Sequence, residues 1–168
     1  PAEPTMTLRY RALQCLALLF VIFALSQLWY LGQVLRLQHH NPEGSAYMQR
    51  AKAQGQVQQY WRDYDQISDY LKRSVLISED AQFTRHSGFD WQGIRYALRR
   101  NKEAGKPVAG GSTITQQLAK NLFLSSERNF LRKGQEFAIT FMLGGLLGKD
   151  RILDIYLNNV EWGEGVFG

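Results

Sequence analysis

The chain has 168 residues with a formal net charge of +5, and 45% of its residues are hydrophobic. This length suits one modest domain, or an anchor with part of a domain, and the composition argues against wholesale disorder. The single Cys excludes an internal disulfide framework and a Cys-rich metal site. A basic balance fits nucleic acid, anionic lipid and phosphorylated substrates equally well, so charge alone does not choose among them.

The first predicted element is a membrane-spanning helix over residues 12–35, a stretch without charged residues. At about 1.5 Å per residue, a helix of this length crosses a hydrocarbon core of about 30 Å. Tyr10 precedes the stretch, and Trp29 and Tyr30 lie near its end, where aromatic rings favour the membrane interface. A buried core helix and a cleaved signal peptide are the alternatives, and the basic residues at both ends leave the orientation undecided.

Residues 36–59 are rich in Gln and have little apolar periodicity, which predicts a juxtamembrane connector that becomes helical before its end. Apolar residues at helical spacing then predict a helix from Asp63 toward Glu79. Asp90 is the predicted N-cap of the next helix, and Gly105 marks its predicted end.

Thr113 and Gln116 have the spacing of a capping box at the start of another helix. Ser126 and Asp150 are the predicted N-caps of the last two helices. No convincing alternating strand is visible in the sequence, so residues 60–168 are predicted to form a mainly α-helical domain. Because this portion is small for an independent core, we expect the C-terminal part of the domain to be missing and the chain to be truncated at both ends.

Four polar clusters could carry chemistry, and the first is Glu79 and Asp80, followed by Phe83, His86 and Gly88. A Glu at the end of an apolar helical segment can be partly desolvated, which favours a role as a general base. The alternative is a pair of solvent-facing acids at a helix end, and the residues alone favour that alternative.

The second cluster is the run GGSTITQQLAKN from Gly110 to Asn121. Its glycines let the backbone approach a ligand, and a helix N-terminus offers free N–H groups to an anion. Ser112, Thr115 and Gln116 bring hydroxyl and amide groups to one side of the predicted helix. An ordinary capped helix is an equally good interpretation, and the run lacks the GKS or GKT of a Walker A loop.

The third cluster is Arg132 and Lys133 with Glu136. An Arg and a Lys on one helical turn can bind a pyrophosphate and stabilise the charge that grows on it as it leaves. The alternative is an i,i+4 pair between Arg132 and Glu136 on a wet helix face.

The fourth cluster is Lys149 with Asp154, Tyr156 and Asn158. A lone Lys ahead of an amphipathic helix is usually solvated. Asp154 and Asn158 are i,i+4 neighbours that could brace the fold as easily as contact a ligand. This cluster therefore decides nothing alone.

In this order the four clusters resemble the peptidoglycan glycosyltransferase family, the lysozyme-like domain that polymerises lipid II. The matching segments are EDAQFTRHSG, GGSTITQQLAKN, RKGQE and KDRILDIYLN. The likeness is greatest to the monofunctional, membrane-anchored members. It implies a lysozyme-like, mainly α domain after one transmembrane helix of the bacterial inner membrane, with the domain on the outer, periplasmic side and residues 1–11 as a cytoplasmic stub.

The resemblance implies that Glu79 is the base that takes a proton from the 4-hydroxyl of the acceptor GlcNAc of lipid II. The acceptor oxygen then attacks the anomeric carbon of the growing chain's terminal MurNAc, inverts it to a β-1,4 bond and releases undecaprenyl pyrophosphate. Glu136 corresponds to the second functionally important Glu. The implied substrate-binding residues are Ser112, Thr113, Gln116, Gln117, Lys120, Arg132, Lys133 and Lys149. The implied structural supports are Asp80, Phe83, His86 and Asn158.

The implied partners are lipid II, the growing lipid-linked glycan and membrane lipid, with cell-wall synthesis proteins as further candidates. No protein metal ligands are predicted and no cofactor is required by the sequence, although Mg²⁺ assists the pyrophosphate in some members. The phosphoglycolipid moenomycin mimics the donor in this family and is an expected inhibitor.

Three residues depart from the family pattern. Members usually carry a Glu where Gly144 stands and a bulkier residue at Gly145, while Asp154 replaces a usual Glu, a milder change. Because a Gly inside a helix costs about 1 kcal/mol relative to Ala, we expect a bent helix or weakened packing behind Lys133 and Glu136.

Two other functions stay open. A lysozyme-like hydrolase or lytic transglycosylase also depends on one Glu in a helical fold, but it cuts existing glycan and needs no cations for a pyrophosphate. A degenerate, non-catalytic scaffold in cell-wall assembly is supported only by Gly144 and Gly145. Nucleic-acid binding is a poor interpretation because the basic residues are spread along the chain.

Overall fold

A long apolar helix begins the computed structural model, which describes residues 4–55, 57–125, 127 and 129–168, without the side chains of residues 4–7 and 54. This helix, α1, spans Pro4–Arg36. Its part from Leu8 to Arg36 is long and apolar enough to cross a membrane. The predicted apolar helix is therefore confirmed, and most of its large apolar side chains before Trp29 are exposed.

The rest of the described chain is mainly helical, as predicted. The helices are α2 (Ala46–Gln54), α3 (Asp69–Glu79), α4 (Trp91–Ala104), α5 (Ile114–Phe123), α6 (Phe130–Leu146) and α7 (Lys149–Leu157), with 3-10 turns at Tyr64–Gln66 and Phe83–Arg85. The predicted connector thus contains α2, whose first turn is capped by the Ser45 side chain.

Three very short strands form a small sheet that the sequence did not predict. They are β1 (Gln58–Gln59), β2 (Glu161–Gly163) and β3 (Val166–Phe167). The strand order is β1-β3-β2, with β1 parallel to β3 and β2 antiparallel to it. A strand of two or three residues is too short to show alternation, and β1 finds its partner only through the tertiary fold.

Capping residues explain where α4 and α5 begin and where α4 ends. The Asp90 carboxylate accepts two backbone N–H bonds at the start of α4, and Gly105 ends that helix in the left-handed region with φ +64°. Thr113 and Gln116 form the predicted capping box at the start of α5. These three predictions are confirmed.

The predicted start of the helix ending at Glu79 is wrong. Asp63 precedes a 3-10 turn, and Ile67 then adopts an extended backbone, so α3 begins only at Asp69 after the cap Ser68. The apolar spacing continues across this break, which is why periodicity alone did not reveal it.

The predicted caps of the last two helices also need correction. Asp150 lies inside α7, whose N-cap position is Gly148. The N-cap of α6 is Asn129, whose side chain accepts a backbone N–H bond in the first turn. Ser126 lies outside the described residues.

Helix α5 lies at the centre of the core and packs against α2, α6 and α7. Each fully buried Ile or Leu side chain contributes about 1.5–3 kcal/mol of hydrophobic stabilisation. The fully buried apolar residues of these helices include Met48, Ile114, Leu118, Ile139, Leu143, Ile152 and Ile155.

The glycine pair in α6 has a specific packing role at one of its two positions. A Cβ at Gly144 would stand 2.3 Å from the backbone oxygen of Ser87, whereas a Cβ at Gly145 would meet no described atom within 4 Å beyond its chain neighbours and the nearby backbone of its own helix. The helix continues unbroken through both residues. The expected weakening of packing at Gly144 is therefore wrong, because its missing side chain lets the loop at Ser87 and Gly88 pack directly on α6.

Candidate active site

Glu79 is the last residue of α3, and its side chain reaches toward α5. Its Oε2 accepts a hydrogen bond from Gln117 Nε2 at 2.8 Å. Glu79 is exposed, so the expected desolvation of this carboxylate is not found. It lines a cavity of about 150 Å³ together with Ser112 and Thr113 at the start of α5. An exposed carboxylate beside a cavity can accept a proton from a bound hydroxyl group.

Asp80 ties the residue after the candidate base to the helix that carries the second cluster. Its buried carboxylate accepts the Ile114 backbone N–H through Oδ2 at 3.1 Å and pairs with His86 Nε2 through Oδ1 at 3.0 Å. Because His86 Nδ1 accepts the Gly88 N–H, Nε2 carries the proton that is donated to Asp80. Thr113 Oγ1 adds a bond to the Gly88 oxygen at 2.6 Å. These bonds tie the segment after Glu79 to the start of α5, as a structural supporting role for Asp80 and His86 requires.

Lys149 lies with this first cluster. Its half-buried Nζ donates to the His86 backbone oxygen at 2.5 Å and lies 4.2 Å from the centroid of the buried Phe83 ring. Burial lowers the pKa of Lys149, and the nearby Asp80 charge partly opposes this shift. The structure therefore places Lys149, a predicted donor-binding residue, beside His86 and Phe83 of the first cluster.

A second cavity, of about 360 Å³, collects most of the residues predicted to bind substrate. It shares Ser112 with the cavity at Glu79, and Gln117 in its wall is the residue that bonds to Glu79. The candidate base thus lies next to this second cavity. Its lining residues are Tyr47, Ser112, Gln116, Gln117, Lys120, Arg132, Lys133 and Glu136.

A buried carboxylate holds two of the three cationic side chains that line the cavity, Arg132 and Lys133; the third is Lys120. Glu136 is 3% exposed, and its Oε2 accepts from Arg132 Nη1 at 2.7 Å while its Oε1 accepts from Lys133 Nζ. The alternative of an ion pair on a wet helix face is therefore wrong. Arg132 and Lys133 against Glu136 leave a formal net charge of +1, and Lys120 raises that of the cavity lining to +2, which favours an anionic ligand. The Lys133 side chain is 53% exposed and is the more accessible of the two.

Tyr47 is a cavity residue that sequence reasoning missed. It lies in the first turn of α2, within the stretch predicted to be a connector, and its ring centroid is 5.6 Å from Lys120 Nζ and 5.7 Å from the Arg50 guanidinium carbon. An aromatic residue in a Gln-rich stretch was the only signal in the sequence. Its contact with the site depends on the packing of α2 against α5.

Asn158 is a buried structural hub at the end of α7. Its Nδ2 donates to the backbone oxygens of Arg62 and Asp154, each at 2.9 Å, and its Oδ1 accepts the Arg62 N–H at 2.7 Å. Asp154 and Asn158 were predicted either to brace the fold or to contact a ligand. The structure favours the bracing role.

The anchor helix is attached directly to the helix that carries the cations. Gln27 in α1 and Gln135 in α6 exchange two amide hydrogen bonds, at 2.9 Å and 3.1 Å. Further along, Gln38 Nε2 donates to the Leu146 backbone oxygen at 2.9 Å. Gln135 is next to Glu136, so the candidate cation site is held at a defined position relative to the anchor.

Comparison with known proteins identifies the family. A family model described as Transglycosylase matches residues 45–168. The chain belongs to this transglycosylase family. The match confirms the resemblance seen in the four clusters, and it also takes in α2 and Tyr47.

Relatives with curated names are similar over most of the chain. The biosynthetic peptidoglycan transglycosylase of Alcanivorax borkumensis is 72% identical over 163 residues, which cover 97% of this chain and 66% of that relative. The biosynthetic peptidoglycan transglycosylase of an Azoarcus species is 48% identical over 156 residues, which cover 89% of this chain and 68% of that relative. The chain thus spans about two thirds of the length of these transglycosylases.

The described residues of this family member do not build a magnesium site. No group of three or more His, Cys, Asp or Glu side chains is placed to hold a metal ion within the part of the chain that the structure describes. Among the lining residues of the larger cavity, the carboxylate is Glu136, and Arg132 and Lys133 already engage both of its oxygens. The Glu136 carboxylate is therefore already paired with two cations.

Proposed function

We propose that this chain belongs to a membrane-anchored glycosyltransferase that extends peptidoglycan glycan strands from lipid II. The observation that carries the proposal is one arrangement: the exposed Glu79 carboxylate lies beside a cavity in which Arg132 and Lys133 are fixed on the buried Glu136. A glycosyl transfer with inversion requires one base and a stabilised leaving group, and this arrangement supplies both.

In the proposed reaction, Glu79 takes the proton of the 4-hydroxyl group of the acceptor GlcNAc. That oxygen forms a bond to the anomeric carbon of the donor's terminal MurNAc from the face opposite the pyrophosphate. The bond from the anomeric carbon to the pyrophosphate oxygen breaks, and its electron pair leaves with undecaprenyl pyrophosphate. The product is a β-1,4 linkage.

The charges of the cavity suit a pyrophosphate leaving group. Glu136 holds Arg132 and Lys133 in position before the ligand arrives, so little reorganisation is needed when negative charge develops. Arg132 Nε is a buried donor without a partner among the described residues, so the guanidinium retains hydrogen-bonding capacity. Lys133 is the more exposed of the two cations and is therefore the one that a ligand reaches more easily.

The candidate membrane helix favours a substrate that is itself linked to a lipid. A helix compatible with a single membrane pass is bonded to α6 through Gln27 and Gln135, so the cation site is held near the bilayer that carries the donor. We propose an inner-membrane enzyme with its catalytic domain on the periplasmic side. Its proposed partners are lipid II, the growing glycan, membrane lipid and other cell-wall synthesis proteins.

The two other functions explain less of the structure. A hydrolase or lytic transglycosylase has no use for two cations fixed on a buried carboxylate, and the similar proteins are named as biosynthetic. The scaffold hypothesis was supported only by Gly144 and Gly145. The missing side chain at Gly144 permits close packing, and α6 continues through both residues.

Incubation of the full-length protein with lipid II in detergent tests the proposal. We expect long glycan polymer and tight moenomycin binding. Replacing both cations, Arg132→Ala with Lys133→Ala, is expected to abolish polymer and weaken moenomycin binding by at least about tenfold. Fragments released from finished sacculi without polymer would support the hydrolase, and moenomycin affinity unchanged by the double substitution would contradict the pyrophosphate role.

A further inference from the structure

Three side chains from three helices form a hydrogen-bonded chain that ends at the candidate base. Tyr156 in α7 donates its hydroxyl proton to Gln117 Oε1 at 3.0 Å. Gln117 in α5 donates through Nε2 to Glu79 Oε2 at 2.8 Å. Tyr156 is 3% exposed, whereas Glu79 at the other end is exposed to solvent. These two hydrogen bonds therefore connect the buried core to the Glu79 carboxylate.

The direction of these bonds depends on the orientation of the Gln117 amide. An ionised carboxylate only accepts hydrogen bonds, so Glu79 requires the NH₂ end of the amide to face it. A flipped amide would place its oxygen against the carboxylate, which is repulsive. The Tyr156 hydroxyl donates its proton to Gln117 Oε1. This bond favours the amide orientation in which the Gln117 NH₂ group faces Glu79.

Tyr156 is suited to hold this orientation. Its ring belongs to the buried core, so the position of its hydroxyl is fixed by packing rather than by solvent. Burial, together with the nearby Glu79 charge, raises the pKa of Tyr156, so the hydroxyl keeps its proton at neutral pH. The bond from Gln117 engages Oε2 and leaves Glu79 Oε1 with no hydrogen-bond partner among the described residues.

We propose that Tyr156 is a positioning residue for the Glu79 base, acting through the Gln117 amide so that one carboxylate oxygen is held and the other faces the acceptor hydroxyl. This inference rests on the proposed role of Glu79 in glycosyl transfer. Tyr156 does not itself line the larger cavity, and it contacts the cavity wall through its bond to Gln117. Its removal therefore affects turnover and leaves donor binding unchanged.

A double-mutant cycle tests the inference with the full chain in detergent. The variants are Tyr156→Phe, Gln117→Ala and the two combined, with kcat and KM measured on lipid II and Kd measured for moenomycin. We expect Tyr156→Phe to lower kcat by about fivefold to tenfold, the effect of one hydrogen bond, with moenomycin affinity within about twofold of the original chain. In the Gln117→Ala background the same substitution is expected to have no further effect, because its route to Glu79 is already gone.

Tyr64→Phe is the matched control, because the Tyr64 hydroxyl bonds to Asp150 at 3.4 Å, away from Glu79. Its kcat is expected to be unchanged. An equal loss of kcat from Tyr156→Phe with and without Gln117→Ala would overturn the inference, as would an unchanged kcat. If Tyr156→Phe does not fold, Gln117→Leu keeps the test: unchanged turnover in that variant overturns the inference.

Parallel assay of Glu79→Gln separates this inference from the proposed function. An inactive Glu79→Gln with an additive Tyr156 and Gln117 cycle overturns the positioning role alone. A fully active Glu79→Gln overturns both.

Discussion

Substituting the two adjacent glycines of α6 separates close packing from helix propensity. In Gly144→Ala the new Cβ would lie 2.3 Å from the Ser87 oxygen and 3.1 Å from the Gly88 nitrogen, both backbone atoms. In Gly145→Ala the new Cβ would meet, among the residues that the structure describes, no atom within 4 Å outside its chain neighbours and the nearby helix backbone. Since both residues lie inside the same helix, each substitution gains the same propensity term of about 1 kcal/mol, and only Gly144→Ala has an opposing overlap.

The size of the overlap sets the expected difference in stability. Ordinary contact begins at 3.4 Å, so the Ser87 backbone oxygen at 2.3 Å has to retreat by about 1 Å. Backbone shifts of this kind cost about 1–3 kcal/mol. Because the propensity terms cancel, Gly144→Ala is expected to be less stable than Gly145→Ala by about 1–3 kcal/mol. For a chain of this size each kcal/mol corresponds to about 2–4 °C in Tm.

Thermal unfolding of the full chain in detergent micelles measures this difference. Gly145→Ala is expected to match or exceed the Tm of the original chain, and Gly144→Ala is expected to fall below it. Equal Tm values for the two variants would refute the explanation of Gly144 as a site of close approach. A higher Tm for Gly144→Ala would refute it more strongly, since propensity would then outweigh packing.

Two further predictions concern Lys149 and the anchor. Burial lowers the pKa of Lys149 below 10.5, so the unfolded state binds more protons in the window just below pH 10.5 and the free energy of unfolding rises with pH there. Lys149→Met is expected to remove this rise, and parallel pH–stability curves for the two proteins would contradict it. Gln27→Leu breaks both amide bonds to Gln135 and is expected to cost about 0.6–2 kcal/mol in micelles. The matched Gln14→Leu, at an exposed position of the same helix, is expected to change stability little, and equal losses would contradict the bridge.

Signals carried by neighbouring residues were readable from the sequence. The cap at Asp90 and the capping box at Thr113 depend on bonds within one helical turn, so their spacing alone predicted them. The apolar run of α1 likewise identifies itself by length. The order of the four clusters predicted the family, which the family match confirms.

Features that depend on the tertiary fold were not readable. Tyr47 reaches the cavity only because α2 packs against α5, and Lys149 bonds to the His86 backbone oxygen only through the tertiary fold. Burial of Glu136 is likewise a tertiary effect, since the same i,i+4 spacing is more common on wet surfaces. Sequence spacing names the charged residues of the site but does not tell which of them are buried.

Glu79 is proposed to perform the proton transfer, while Arg132 and Lys133 are proposed to bind the pyrophosphate. Turnover of lipid II by Glu79→Gln, measured beside its moenomycin affinity, tests this division most directly. We predict that turnover falls by about 10²–10⁴-fold, the contribution of a general base, while moenomycin still binds as tightly as to the original chain. Turnover at the original rate would contradict the claim.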